Sequence, residues 1–274
     1  MNAIILEKSS GGTVKATNIV SWLLSYGVSA VTTQELSYLL GIPVNQVRQR
    51  LVPLQKRTEI VSPVRGLWIP VPYEYRHWGA PEAILYIDKM MRYLDIDYYL
   101  GWMTAAAIQG ASHHAPQVFQ VATSRTVANR VIGRSNIRFY HRSNVGSLPT
   151  FRFKTRTGYV KVSTRAATML SVASDLRLAA GPDNAANIAI ELSDTEESFI
   201  DEVAASAALF PISALRRLGW ILENFTDVSG LEPWLEISRQ SDIALSKLSM
   251  YQSYSNKVDK RWSLDINERV EPDV

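Results

Sequence analysis

Apolar positions between Thr17 and Tyr26 recur at helical spacing, with Ile19, Val20, Leu23 and Leu24 on one face and Gly27 at the end, which predicts a first helix. Thr32-Thr33-Gln34-Glu35 reads as a capping box, in which the Thr32 hydroxyl and the Glu35 carboxylate satisfy orphan backbone donors reciprocally; Gly41 closes that helix. Pro43 suits the first turn of a third helix reaching Leu51 and beyond. Its Val44, Val47, Leu51 and Leu54 fall on one side, ready to pack on Leu36, Leu39 and Leu40. Pro53 lacks an N–H and is expected to kink or end the helix at Val52, leaving Lys56 outside any groove-reading portion. Ile60 to Val64 and Leu67 to Ile69 flank Arg65-Gly66 as a hairpin. Residues 1–12 look frayed, and Pro70, Pro72 and Pro81 mark a linker.

Past the linker, helices are expected over Glu82 to Leu94 and Tyr98 to Gln109, the second capped by Asp97 and stopped by Gly110. Strands are expected at Val118 to Ala122, Ile137 to Tyr140, Phe151 to Lys154 and Tyr159 to Val162. Alternation sets Phe151 and Phe153 opposite Arg152 and Lys154, and Ile137 and Phe139 opposite Arg138 and Tyr140, so one side of the sheet reads as apolar and the other as basic. Helices then follow at Arg165 to Leu178, Asn184 to Leu192, Glu196 to Ala207 and Ile212 to Asn224, before a final strand within Trp262 to Asn267. The fold class is therefore α/β in the mixed α+β sense. A winged helix-turn-helix occupies 13–72, and a mixed sheet-and-helix domain occupies 77–274, basic α/β to about residue 162 and acidic and helical from about 163.

Composition narrows the function. A length of 274 residues fits two units, and 46% hydrophobic with 20% charged residues excludes wholesale disorder and coiled-coil or collagen-like architecture. There is no membrane-length apolar run, and Met1 to Gly12 lacks the features of a signal peptide, so a cytoplasmic location without a membrane partner is expected. The absence of cysteine removes disulfides, thiolate nucleophiles and cysteine-ligated zinc. The net charge of +3 hides a segregation: no Asp or Glu lies between Asp97 and Asp175, while Arg125, Arg130, Arg134, Arg138, Arg142, Arg152, Lys154, Arg156, Lys161 and Arg165 all do. Such a stretch suits nucleic acid or an acidic partner, unless the acidic C-terminal third neutralises it within the molecule.

The third helix carries the sharpest signal. Asn45, Gln49 and Lys56 fall opposite its apolar side, flanked by Gln46 and Arg48, with Arg50 nearer the buried edge. Asn, Gln and Arg make the bidentate contacts that read adenine and guanine in the major groove. With Thr33 at the start of the preceding helix and Arg65 at the hairpin tip, these residues form the expected double-stranded DNA interface. The competing reading is a helical bundle whose polar face is merely solvated. Arg138, Arg152, Lys154 and Arg156 are candidates for a second basic surface facing DNA or a partner.

Other chemistry is thinly represented. Glycine-rich dinucleotide, P-loop and serine-elbow motifs are missing. His113-His114 has no carboxylate nearby in sequence and suits capping or the surface, so no metal or cofactor is expected. Glu196-Glu197 complements a helix N-terminus. Asp95-Ile96-Asp97 would put two carboxylates on one strand face, as magnesium-dependent nucleotidyl or phosphoryl transfer requires; that alternative stands beside a non-enzymatic reading.

Tyr98-Tyr99, then Thr104-Ala105-Ala106-Ala107-Ile108-Gln109-Gly110, Pro116-Gln117, the strand to Thr123, the arginine-rich Arg130 to Tyr140, Val162 to Ala167 and the Trp262 to Asn267 ending together resemble the AbiEi family, antitoxins of type IV toxin–antitoxin systems. Gln109 stands where a histidine often precedes the glycine. The resemblance implies an antitoxin that represses its own operon by binding promoter inverted repeats, and that neutralises a nucleotidyltransferase toxin without a stable complex. A free-standing winged-helix regulator with a ligand-sensing second domain is the alternative; operator, toxin identity and oligomeric state stay open.

Overall fold

The structure is a computed structural model that describes residues 13–111, 117–194 and 199–273. The expected helices and hairpin follow in order, with a short strand β1 that was not expected: α1 (Ile19–Ser25), β1 (Val31–Thr32), α2 (Thr33–Leu40), α3 (Val44–Lys56), β2 (Ile60–Val64) and β3 (Leu67–Pro70). The capping box is formed, with Glu35 N–H donating to Thr32 Oγ1 at 3.2 Å and Thr32 N–H to Glu35 Oε2 at 2.8 Å. Val47, Leu51 and Leu54 are buried with Leu36, Leu39, Leu40, Ile19 and Leu23 in one cluster. Val44 is not part of it, being 43% exposed.

Pro53 does not end α3, contrary to expectation. The lost hydrogen bond is outweighed because Leu51 and Leu54 anchor the last turns in the core, and Pro53 itself faces solvent. β2 and β3 form the antiparallel hairpin, with β1 on the far side of β3.

The segment expected as a linker is packed. Val71 N–H donates to the Glu59 carbonyl at 2.8 Å, a 3₁₀ turn spans Tyr73–Trp78, and Tyr75 is buried. Gly79 and Gly133 lie backbone to backbone, and a Cβ on Gly133 would stand 2.3 Å from the Trp78 carbonyl oxygen. The expected helix at 82–94 is divided into a 3₁₀ turn at Ala83–Leu85 and α4 (Ile87–Tyr93).

A six-stranded sheet organises the rest, with strand order β6-β7-β5-β4-β9-β8. Its members are β4 (Tyr98–Leu100), β5 (Val118–Thr123), β6 (Arg130–Ile132), β7 (Ser135–His141), β8 (Thr150–Thr155) and β9 (Gly158–Ser163). Tyr98 therefore starts a strand rather than a helix, and α5 (Trp102–Ile108) begins four residues later. α6 (Arg165–Ser174), α7 (Pro182–Ser193), α8 (Phe199–Ser206), α9 (Ile212–Phe225) and α10 (Glu232–Arg239) form a helical layer, followed by the short strands β10 (Ser246–Lys247), β11 (Val258–Asp259) and β12 (Leu264–Asp265). α9 packs across α6, α7 and α10.

Helices cover both faces of the central strands, which corrects the basic side expected at Tyr140, whereas Ile137, Phe139 and Phe153 share one apolar side and Arg152 and Lys154 stay exposed on β8. Tyr99, Ala122 and Tyr140 join the core of the helical layer, while Leu100, Val121, Ile137, Phe139 and Val162 join a second cluster containing Met90 and Met91 of α4. That second cluster also holds Ala30, Val64, Leu67 and Ile69, so the winged unit and the sheet share one hydrophobic core.

Candidate nucleic-acid interface

Packing Val47, Leu51 and Leu54 inward turns the polar strip of α3 outward. Asn45, Gln46, Arg48, Gln49, Arg50 and Lys56 are all exposed, as is Arg65 at the hairpin tip. Asn45, Arg48 and Gln55 face the hairpin across a trough of about 820 Å³ whose other wall is Ser62, Arg65 and Gly66. The trough carries two guanidinium groups and amide side chains but no carboxylate among its lining residues. Gln55 and Ser62 were missed by sequence reasoning, because only the fold shows which side of α3 faces the wing. Arg50 lies on another side, beside Thr13, Lys15 and Ile42.

Thr33 lines the same trough, and its side chain also has a bracing role. Its Oγ1 donates to the Gly66 carbonyl at 3.3 Å and accepts from Trp68 Nε1 at 2.9 Å, and its N–H donates to the same carbonyl at 2.8 Å. The hydroxyl ties α2 to the wing. From outside the winged unit, Tyr93 Oη donates to the Arg65 carbonyl at 3.1 Å and Arg130 Nε to the Pro63 carbonyl at 3.2 Å. The tip arginine is thus presented from a hairpin held on both sides.

The four residues proposed as a second basic surface are not brought together. Arg138 lies on β7 and Arg152 and Lys154 on β8, four strand intervals away, or roughly 19 Å at the usual spacing. Arg152 and Lys154 are exposed on an edge strand, where Arg152 sits 4.4 Å from the Tyr159 ring centroid. Arg156 is taken up by Tyr75, hydrogen-bonded to its hydroxyl with the guanidinium near its ring, and so braces the connecting segment. Arg125 likewise donates to the carbonyls of Leu94 and Asp95.

The paired-carboxylate arrangement does not form either. Asp95 sits in a turn at φ +54°, outside any strand, and Asp97 pairs with Lys161 at 3.5 Å. Among the described residues no cluster of three metal-ligating side chains occurs. No described helix is long and apolar enough to cross a membrane. His113, His114, Glu196 and Glu197 lie outside the described residues. Gln109 is structural in its contacts: Nε2 donates to the Ser163 carbonyl at 3.1 Å and Thr168 Oγ1 at 3.0 Å, joining α5 to the start of α6.

Residues 99–224 match the family model described as the AbiEi antitoxin C-terminal domain. Among solved structures, the chain is similar to the crystal structure of RV2827C protein from Mycobacterium tuberculosis, with a TM-score of 0.62 and 14% sequence identity over 91% of this chain and 90% of that one. At that identity the likeness is one of fold. No curated protein matches the chain.

Proposed function

We infer, for a chain whose residues 99–224 match the AbiEi antitoxin C-terminal domain model, that it is the antitoxin of a toxin–antitoxin pair and represses its own operon through its winged helix-turn-helix. The observation that carries the DNA-binding half is the solvent-open strip Asn45, Arg48 and Gln49, standing beside Arg65 with no carboxylate lining the trough between helix and wing. An amide-rich helix flanked by a basic hairpin meets a duplex in complementary ways: the helix reads base edges while the hairpin neutralises phosphate. The expected operator is double-stranded promoter DNA with inverted repeats. The toxin half rests on the family, and the partner proposed is a nucleotidyltransferase that is neutralised without a lasting complex. No catalytic role is proposed.

A mobility-shift titration on a promoter fragment and on scrambled DNA tests the DNA-binding half. Arg48→Ala and Gln49→Ala should each cost about 1 to 3 kcal/mol on the operator and little on scrambled DNA. Arg65→Ala should weaken both alike and lower the salt slope by about 1. Unchanged affinity in all three variants would remove the DNA interface. Co-expression with the gene encoded beside this one, the expected toxin, tests the other half: growth should be rescued by the full chain, and the same three variants should still rescue if repression and neutralisation use different parts of the chain. Growth arrest despite the wild-type chain would remove the antitoxin assignment.

A further inference from the structure

We propose that the cavity between the central sheet and the helical layer binds a nucleotide, either free or at the end of a single strand, with Arg142 and Arg217 toward its phosphate and Tyr251 toward its base. The cavity is about 510 Å³, within the size range of small-molecule sites, and none of its lining residues belongs to the winged unit.

Its charge calls for an anion. Arg217 is buried, and its Nε and Nη1 are spent on neutral carbonyls, those of Lys247 at 2.9 Å, Ala173 at 2.9 Å and Ser174 at 3.3 Å. Nη2 has no hydrogen bond, and the group has no ion pair, among the described residues. Burial lowers the Arg217 pKa to about 10, only partly countered by Asp175. Arg142, also lining the cavity, stands 3.9 Å from Asp175 Oδ2. Of the two, only Arg142 is at ion-pair distance from Asp175, so two guanidinium groups face one carboxylate and leave a net positive charge in a partly dehydrated space.

Its walls call for a ring. Trp102 lines the cavity with its backbone at φ +48°, a conformation a bulky side chain adopts only when its surroundings hold it. Those surroundings are Tyr99, stacked at 6.4 Å, Tyr140, edge-on at 5.2 Å, and the Arg142 guanidinium 5.0 Å from the indole centroid. At the rim Tyr251 is 59% exposed, with the Arg177 guanidinium 5.0 Å from its ring. An exposed tyrosine braced by arginine is a stacking platform that accepts any base, and the nearby arginines take the phosphate.

Calorimetric titration of the full chain decides it, using the four nucleoside monophosphates, a short single-stranded RNA and inorganic phosphate as probes. Nucleotides should bind at least about tenfold more tightly than phosphate. Tyr251→Ala, on an exposed side chain, should weaken nucleotide binding about tenfold at an unchanged melting temperature while leaving phosphate unaffected, and Arg142→Gln, verified as folded by circular dichroism, should weaken both by about tenfold or more. If RNA binds no tighter than mononucleotides, the ligand is a free nucleotide; if RNA binds at least about tenfold tighter and keeps the sensitivity to both variants, it is a strand end. Absence of binding at millimolar probe, equal affinity for phosphate and nucleotides, or indifference to either variant would overturn the proposal.

Discussion

Arg48 and Arg65 carry the same charge but stand on different scaffolds, and that difference separates their expected effects. Arg48 projects from a helix whose inward face is fixed by Val47 and Leu51, so its reach is directional and suited to a base edge. Arg65 projects from a turn whose carbonyl is held by Tyr93, so it offers charge at a fixed height above the trough. A second residue-level outcome concerns titration. Burial raises the pKa of Tyr99 to about 12, and burial likewise raises those of Tyr86 and Tyr98. An unfolded phenol ionises near about pH 10, so the stability contributed by these neutral groups is complete below that pH and is lost as pH climbs toward 12. In an alkaline titration followed by tyrosinate absorbance and circular dichroism, Tyr86, Tyr98 and Tyr99 should ionise only as the chain unfolds. A folded chain with every tyrosine ionised would contradict the burial described.

At the level of elements, α3 shows how packing overrides propensity. Pro53 denies the Gln49 carbonyl its backbone partner, yet the helix continues to Lys56 because Leu54 is drawn into the core. Pro53→Ala restores a donor at an exposed position, and a gain of up to about 3 kcal/mol is expected as a higher melting temperature. An unchanged or lower melting temperature would show that the proline suits its local geometry. The boundaries of α2, its Thr32–Glu35 cap, the hairpin and the four long strands were legible because each rests on local chemistry: a cap, a turn residue or period-2 alternation. Tyr98 was misread as helical because Tyr98-Tyr99-Leu100 is too short to display a period, and its strand character comes from pairing with Thr123, Ala122 and Val121. β6 was missed for the same reason, since Arg130–Ile132 becomes a strand only beside β7.

At the scale of the molecule, the winged unit and the sheet are one mechanical object. Ala30, Val64, Leu67 and Ile69 would be uncovered if the two were separated. A fragment of residues 13–72 is therefore expected to melt below the full chain and to bind DNA more weakly, because the hairpin loses the hydrogen bonds from Tyr93 and Arg130. Gly133→Ala probes the same junction within the full chain. Its Cβ would meet the Trp78 carbonyl at a backbone φ of +57°, and a loss of roughly 1 to 3 kcal/mol is expected in thermal unfolding. A neutral effect would mean that the connecting segment is free to move.

The outward strip of α3, the capped helix before it, the tip arginine and the family resemblance of the second domain follow from the order of residues alone, because helical periodicity and turn chemistry act over a few positions. Tertiary structure alone decided that Thr33 ties the helix to the wing and Arg156 braces the connecting segment, that Arg138 is far from Arg152, that helices cover both faces of the central strands, and that Trp102, Arg142, Asp175, Arg217 and Tyr251 line one cavity. These facts depend on which strands become neighbours and which helices cover them, and those long-range pairings leave no local periodic trace along the chain.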